Sequence, residues 1–216
     1  MKMESGAKRV RAYLDGVAVV DSTHVLLVWE RPNYPTYYFP VADVRTDLVP
    51  AGAYRHLDAP LVEVREMVAF TWGAMDQWFE EDEEVYTHAR SPYTRVDILP
   101  SSRHVRVGID GVIVAESRRP TLLFETGLPT RYYFAKPDVR LDLLTATDSS
   151  TSCPYKGTAR YWSMTTGEAD YPDIAWAYDY PLPESIRVAG QICFYNERVD
   201  IFVDGEREER PHTPFS

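Results

Sequence analysis

The 216 residues suffice for one large domain or two small ones, and with 44% hydrophobic and 26% charged side chains they exclude wholesale disorder. Lys and Arg number 23 against 33 Asp and Glu, and the net charge of -10 is the wrong field for general nucleic-acid binding. No apolar run reaches the roughly 18 residues of a spanning helix, and the polar start Met1-Lys2-Met3-Glu4-Ser5-Gly6 has no signal-peptide core, so the expectation is a soluble cytosolic protein away from the membrane.

Val17 to Val20 follows Asp15-Gly16 as a short apolar run, the signature of a tight hairpin, because both turn positions tolerate positive φ. His24 to Trp29 and Tyr37-Tyr38-Phe39 form the next strands, and Asp43 to Leu48 fits a strand or one helical turn. A short helix around Val62 to Met67 is the only helix expected, since 16 prolines and 11 glycines break longer ones. Glu80-Glu81-Asp82-Glu83-Glu84 reads as a solvated face. Leu99-Pro100-Ser101-Ser102 is a turn-rich junction. Beyond it, Val105, Val107 and Ile109 alternate with Arg106, Gly108 and Asp110 as in a half-buried strand. Val112 to Ala115 follows Asp110-Gly111, Pro120 to Phe124 and Tyr132-Tyr133-Phe134 are further strands, and Ser185 to Gly190 is a turn entering a strand at Gln191 to Tyr195.

These elements come in two sets. At a shift of 95, Val10 to Leu48 overlies Val105 to Leu143 without gaps, with 17 of 39 positions identical. Arg95-Val96-Asp97-Ile98 recurs as Arg198-Val199-Asp200-Ile201 at a shift of 103. A period this long with two copies is a domain duplication, not a solenoid. Residues 8–99 are expected to form the first domain and 103–206 the second, each mainly β, packed together with few short helices.

The copies differ most where chemistry could sit. Thr151 to Tyr195 holds eight Tyr or Trp residues in 45, against twelve in the other 171, which suits a binding pocket and a core wall equally. Within it, Cys153-Pro154-Tyr155-Lys156-Gly157 is a tight loop that can hold an ammonium at a set position. Lys156 reads equally as a surface lysine and as an anion-binding or Schiff-base lysine. Cys153 is a thiol candidate that needs a base, His104, His212 or His88, although a buried small hydrophobe is the commoner meaning. Asp173 is a candidate general acid or base whose position after proline also suits a turn. Arg45 and Arg140 recur with the duplication beside aspartates, so local ion pairing is the default for both.

Cys153 and Cys193 have no Cys-x-x-Cys partner, and His56 and His88 have no ligand spacing, so no metal site is expected. Phosphate loops, nucleophile elbows and His-Glu-x-x-His are absent, and no cofactor is implied.

Asp110-Gly111, Tyr132-Tyr133-Phe134, Asp138-Val139-Arg140 and the Cys-Pro-Tyr-Lys-Gly segment resemble the domain of unknown function 427 family, as do Ala159, Tyr161-Trp162, Asp173, Trp176, Tyr178 and Phe194-Tyr195. The first half resembles a degenerate companion repeat, where His88-Ala89-Arg90-Ser91-Pro92-Tyr93 departs from a His-Pro-Arg-Asp-Pro-Tyr pattern at Ala89 and Ser91 and the Cys-Pro-Tyr-Lys-Gly segment is missing. The resemblance implies a β-tent-like fold, as in thalidomide-binding and methionine-sulfoxide-reductase domains, but this chain lacks the four cysteines that hold zinc in some of them. It also implies an aromatic cage that Tyr155, Tyr161, Trp162, Trp176 and Tyr178 would imitate. The nucleotidyltransferase label the family has carried would require paired metal-binding aspartates that are not evident here.

The leading expectation is therefore a small-molecule pocket in the second half, with an aromatic wall completed by Tyr132 and Arg140 and a rim of Lys156 and Cys153. Such a chain is a ligand-binding module or a cofactor-free enzyme. The alternative is a protein-interaction or structural module without a ligand.

Overall fold

Asp15 and Gly16 both take positive φ, 51° and 74°, and Asp110 and Gly111 repeat this at 49° and 78°. Each pair closes a hairpin whose strands twist correctly only with that turn. The computed structural model describes residues 2–56, 66–167 and 169–216. The protein is mainly β and divides into two compact units, Met1–Tyr93 and Thr94–Ser216.

The first unit contains β1 (Lys2–Ser5), β2 (Val10–Leu14), β3 (Val17–Ser22), β4 (Leu26–Arg31), β5 (Tyr34–Pro40), β6 (Tyr54–His56), β7 (Met67–Phe70), β8 (Gln77–Glu80) and β9 (Glu83–Glu84). They form two antiparallel sheets, in the orders β1-β4-β5-β7-β6 and β3-β2-β8-β9. The second unit contains β10 (Val96–Pro100), β11 (Val105–Ile109), β12 (Val112–Ser117), β13 (Thr121–Glu125) and β14 (Arg131–Phe134). It continues with β15 (Leu144–Cys153), β16 (Gly157–Thr166), β17 (Ala169–Ala177), β18 (Ile192–Phe194), β19 (Asp200–Val203) and β20 (Glu206–Arg207). The sheet orders are β10-β13-β14-β18-β17-β16-β15 and β12-β11-β19-β20.

Corresponding residues do the same local work in both units. Leu27 pairs with Tyr37 and Leu122 with Tyr132, while Val10 pairs with Ser22 and Val105 with Ser117. The Ser22 hydroxyl donates to Asp43 at 2.6 Å and that of Ser117 to Asp138 at 2.7 Å. Isolated bridges Val20–Val44 and Ala115–Val139 occupy the same place in each unit. Among the described residues the main difference is a meander of long strands, β15 to β17, in the second unit.

Asp43 to Leu48 takes the helical-turn alternative, in 3-10 form: Val41–Asp43 and Thr46–Leu48 are short 3-10 turns. The expected helix around Val62 to Met67 lies outside the described residues as far as position 65, while Glu66 is in a turn and Met67 opens β7. The turn expected at Ser185 is a 3-10 helix, Pro183–Val188, that leads into β18. In the acidic run, Glu81 to Glu83 are exposed as expected, but Glu80 is buried because it ends β8 facing inward.

The Tyr-Tyr-Phe triplets divide the core by strand alternation. Tyr132 and Phe134 face a cluster with Val107, Ile174 and Ile192, whereas Tyr133 faces the opposite side with Tyr161, Trp176 and Cys193. Tyr37 and Phe39 likewise join Val10, Val20 and Trp78, and Tyr38 joins Val28 and Ala69. Full burial of one such side chain stabilises the fold by about 1.5–3 kcal/mol.

Candidate functional site

Cys153 closes β15 and pairs with Gly157, the first residue of β16, so Pro154, Tyr155 and Lys156 form the hairpin loop between them. The loop is held from several sides. The Lys156 N–H donates to the Cys153 carbonyl at 3.3 Å, and the Lys156 carbonyl accepts from Leu182 N–H at 3.2 Å. The Ser185 hydroxyl donates to the Tyr155 carbonyl at 3.1 Å. Gly157 has φ +94°, and a Cβ there would lie 3.3 Å from the Tyr180 carbonyl oxygen and 3.4 Å from the Leu182 nitrogen. Only glycine meets both demands, positive φ and close backbone approach.

This clamp turns the Lys156 side chain inward, leaving it 11% exposed. Its ammonium donates to Glu125, the last residue of β13, whose side chain is 9% exposed. Charged groups so deeply placed are retained when they are paired. Burial alone would lower the Lys156 pKa, but its contacts with Glu125 and Cys153 outweigh it and hold the amine above its ordinary 10.5. Cys153 itself is a half-buried free thiol. Lysine ammonium, carboxylate and thiol therefore meet at one end of the large sheet.

Behind them lies the aromatic cluster. Tyr161, Trp176 and Tyr178 are 7%, 7% and 5% exposed and share it with Tyr133 and Cys193. The Tyr161 hydroxyl meets the Thr151 hydroxyl at 2.6 Å, and the Trp176 indole N–H donates to the Tyr133 hydroxyl at 3.2 Å. Burial pushes the Tyr178 phenol well above its usual pKa. These rings are packed core on most sides, not an open cage.

The other expected wall residues lie elsewhere. Tyr132, one position from Tyr133, faces the opposite core and donates to Glu208 at 2.7 Å. Trp162, one position from Tyr161, packs half-buried against that same opposite core, with the Arg160 guanidinium 5.7 Å from its ring centre. Arg140 is an exposed side chain paired with Asp142 at 2.6 Å, and Arg45 forms the same pair with Asp47 at 3.2 Å. Tyr155 sits half-buried in the loop. Asp173 has φ 49°, takes a hydroxyl hydrogen bond from Thr147 at 2.7 Å, and donates its N–H to Ser163 at 2.9 Å, which makes it a shaping residue of a strand irregularity. His104, one suggested base for Cys153, is 2.6 Å from Glu116. Among the described residues no group of three or more His, Cys, Asp or Glu could hold a metal ion.

Glu125 was not singled out from the sequence, although a signal existed. It matches Glu30 at the shift of 95. In the first unit Glu30 takes the Arg55 guanidinium from β6 at 2.5 Å and the Tyr38 hydroxyl at 2.9 Å. Each unit thus pairs the same carboxylate with a cation supplied by its most divergent segment.

A family described as a domain of unknown function, DUF427, matches residues 2–57 and 97–205. The chain belongs to the DUF427 family. No curated protein matches it significantly. The DUF427 segments include both carboxylates, Glu30 and Glu125, and the whole Cys153 to Gly157 loop, while β8 and β9 fall outside. No helix among the described residues is long and apolar enough to cross a membrane.

Proposed function

We propose that this DUF427 protein carries two copies of one domain and binds a small organic molecule in the second. The ligand contacts Cys153 and the Lys156–Glu125 pair, with Tyr161 and Tyr178 as the adjoining aromatic wall. The carrying observation is a clamped loop that places a nearly buried, carboxylate-paired ammonium beside a half-exposed thiol. A fixed ammonium in a water-poor setting stabilises negative charge on a ligand oxygen, and a thiol beside it can engage an electrophilic carbon. The first copy replaces this group by Arg55–Glu30 and lacks the thiol.

The test is a thermal-shift screen of wild type and the double variant Lys156→Met/Glu125→Leu against a metabolite library. Replacing both charges by apolar groups of similar size is often neutral for stability, whereas removing either alone costs about 3–5 kcal/mol because it strands the other. A ligand at about 100 times its dissociation constant adds roughly 2.7 kcal/mol, or about 5–10 °C for a chain of this size. The expected result is a hit whose shift disappears in the folded double variant. A shift that persists there removes the site from this loop.

A second reading, an interaction module without a ligand, draws on Tyr180 and Ile186, 93% and 59% exposed near the same clamp. A library without hits, combined with loss of a binding partner in Tyr180→Ala, favours that reading.

A further inference from the structure

The first unit has a partly open pocket of about 230 Å3. Val10, Val25 and Leu27 give it an apolar wall, while Lys8, Glu80 and Arg90 give it a charged one. Its size is below the roughly 300–1,000 Å3 of drug-sized sites, which limits an occupant to a small metabolite.

The charged wall is built, not incidental. Glu80 is 6% exposed and accepts from the Tyr37 hydroxyl at 2.6 Å and the Lys8 ammonium at 2.6 Å. A carboxylate offers about four acceptor sites, so Glu80 retains capacity for a further donor. The Arg90 side chain is 13% exposed, with one guanidinium nitrogen 3.9 Å from Glu80 and another 3.1 Å from Glu83. Its Nε is buried with no hydrogen-bond partner among the described residues. A buried donor without an acceptor bears its full desolvation cost, which Arg90 carries while its terminal nitrogens face the carboxylates of Glu80 and Glu83. Arginine's fork matches a carboxylate best.

The ionic groups around the cavity balance: Lys8 and Arg90 against Glu4 and Glu80. A simple anion or cation gains no net attraction from such a set, whereas a molecule carrying both charges can satisfy the two signs separately. We propose that the cavity binds a small α-amino acid with an apolar side chain. Its carboxylate meets Arg90, its ammonium meets Glu80, and its side chain lies against Val10, Val25 and Leu27. This site is in the other unit from the loop at Lys156 and does not rest on the function proposed there.

The experiment is isothermal titration calorimetry of the full chain with L-leucine, isoamylamine and isocaproate. The last two keep the apolar body but lack the carboxylate and the ammonium, respectively. Leucine is expected to bind at least about tenfold more tightly than either. Arg90→Lys keeps the charge but removes Nε and the fork, and it should weaken leucine by about tenfold. Ala7→Trp, at an exposed position lining the cavity, should abolish binding without unfolding the protein. Absence of leucine binding overturns the proposal, and so does isocaproate binding as tightly as leucine. Leucine binding that survives Arg90→Lys and Ala7→Trp but is lost in Lys156→Met/Glu125→Leu also overturns it, while supporting the second-unit site instead.

Discussion

At the scale of single residues, the most buried ion pair among the described residues of the second unit is Arg131 with Glu197, side chains 6% and 0% exposed. Two guanidinium nitrogens donate to the carboxylate at 2.7 and 2.8 Å, and Thr213 donates to it at 2.6 Å. The guanidinium also lies 5.6 to 5.9 Å from the ring centres of Trp176, Tyr195 and Phe215. Burial works to raise the Glu197 pKa, but the hydrogen bonds from Arg131 and Thr213 prevail and hold it below its ordinary 4.5. A depressed carboxylate pKa contributes stability that is present above the unfolded-state value and lost as pH falls through the folded one. Glu197→Gln should cost about 3–5 kcal/mol at neutral pH, because it strands the Arg131 charge. It should also flatten the loss of stability below pH 4.5, measured by urea unfolding across that range. The two thiols separate as clearly. Burial pushes the Cys193 thiol up to about 12, and Cys153 is half-buried. A thiol reagent is expected to modify Cys153 in the native protein and Cys193 only after denaturation, as peptide mapping would report. Neither the Arg131–Glu197 pair nor the Lys156–Glu125 pair could be read from spacing, since their partners lie far apart in the chain.

At the scale of elements, the hairpins announced themselves and the meander did not. Asp15-Gly16 and Asp110-Gly111 are turn pairs whose backbone requirement is local, so the strands on either side followed. Strand β15 carries Thr145, Asp148, Ser149, Ser150 and Thr151 on exposed positions, a polar run that resembles a loop until β16 pairs with Thr145, Ser150 and Thr151 on either side of an irregularity at Asp148 and Ser149. The Cys153 to Gly157 loop stood out by composition, but its inward turn depends on Tyr180 and Leu182 approaching Gly157. Gly157→Ala should destabilise the protein by about 1 kcal/mol or more, because it adds positive-φ strain to a close contact, and chemical denaturation would measure it. Trp176→Ala is expected to cost about 3–5 kcal/mol, since the ring is 7% exposed and packed against Tyr195 at 4.5 Å between centres.

At the scale of the whole molecule, every described strand pairing stays inside its own unit, including that of β10 with β13. The fragment Thr94–Ser216 should therefore fold alone with a cooperative thermal transition, and a melt without one would show that its sheets need the first unit. The amino-acid sequence by itself determined the mainly β class, the repeat at 95 residues and the distinctive Cys-Pro-Tyr-Lys-Gly loop. All three are carried by local pattern: alternation, turn residues and self-similarity. Only the tertiary structure decided which side chains meet. It sent Tyr132 and Trp162 to the face opposite Tyr133 and Tyr161, because neighbours in a strand point apart. It brought Glu125 to Lys156, and it drew Glu80 out of an acidic run to Lys8 and Tyr37, because ion pairs between distant strands are fixed by sheet order and register, which no short stretch of sequence encodes.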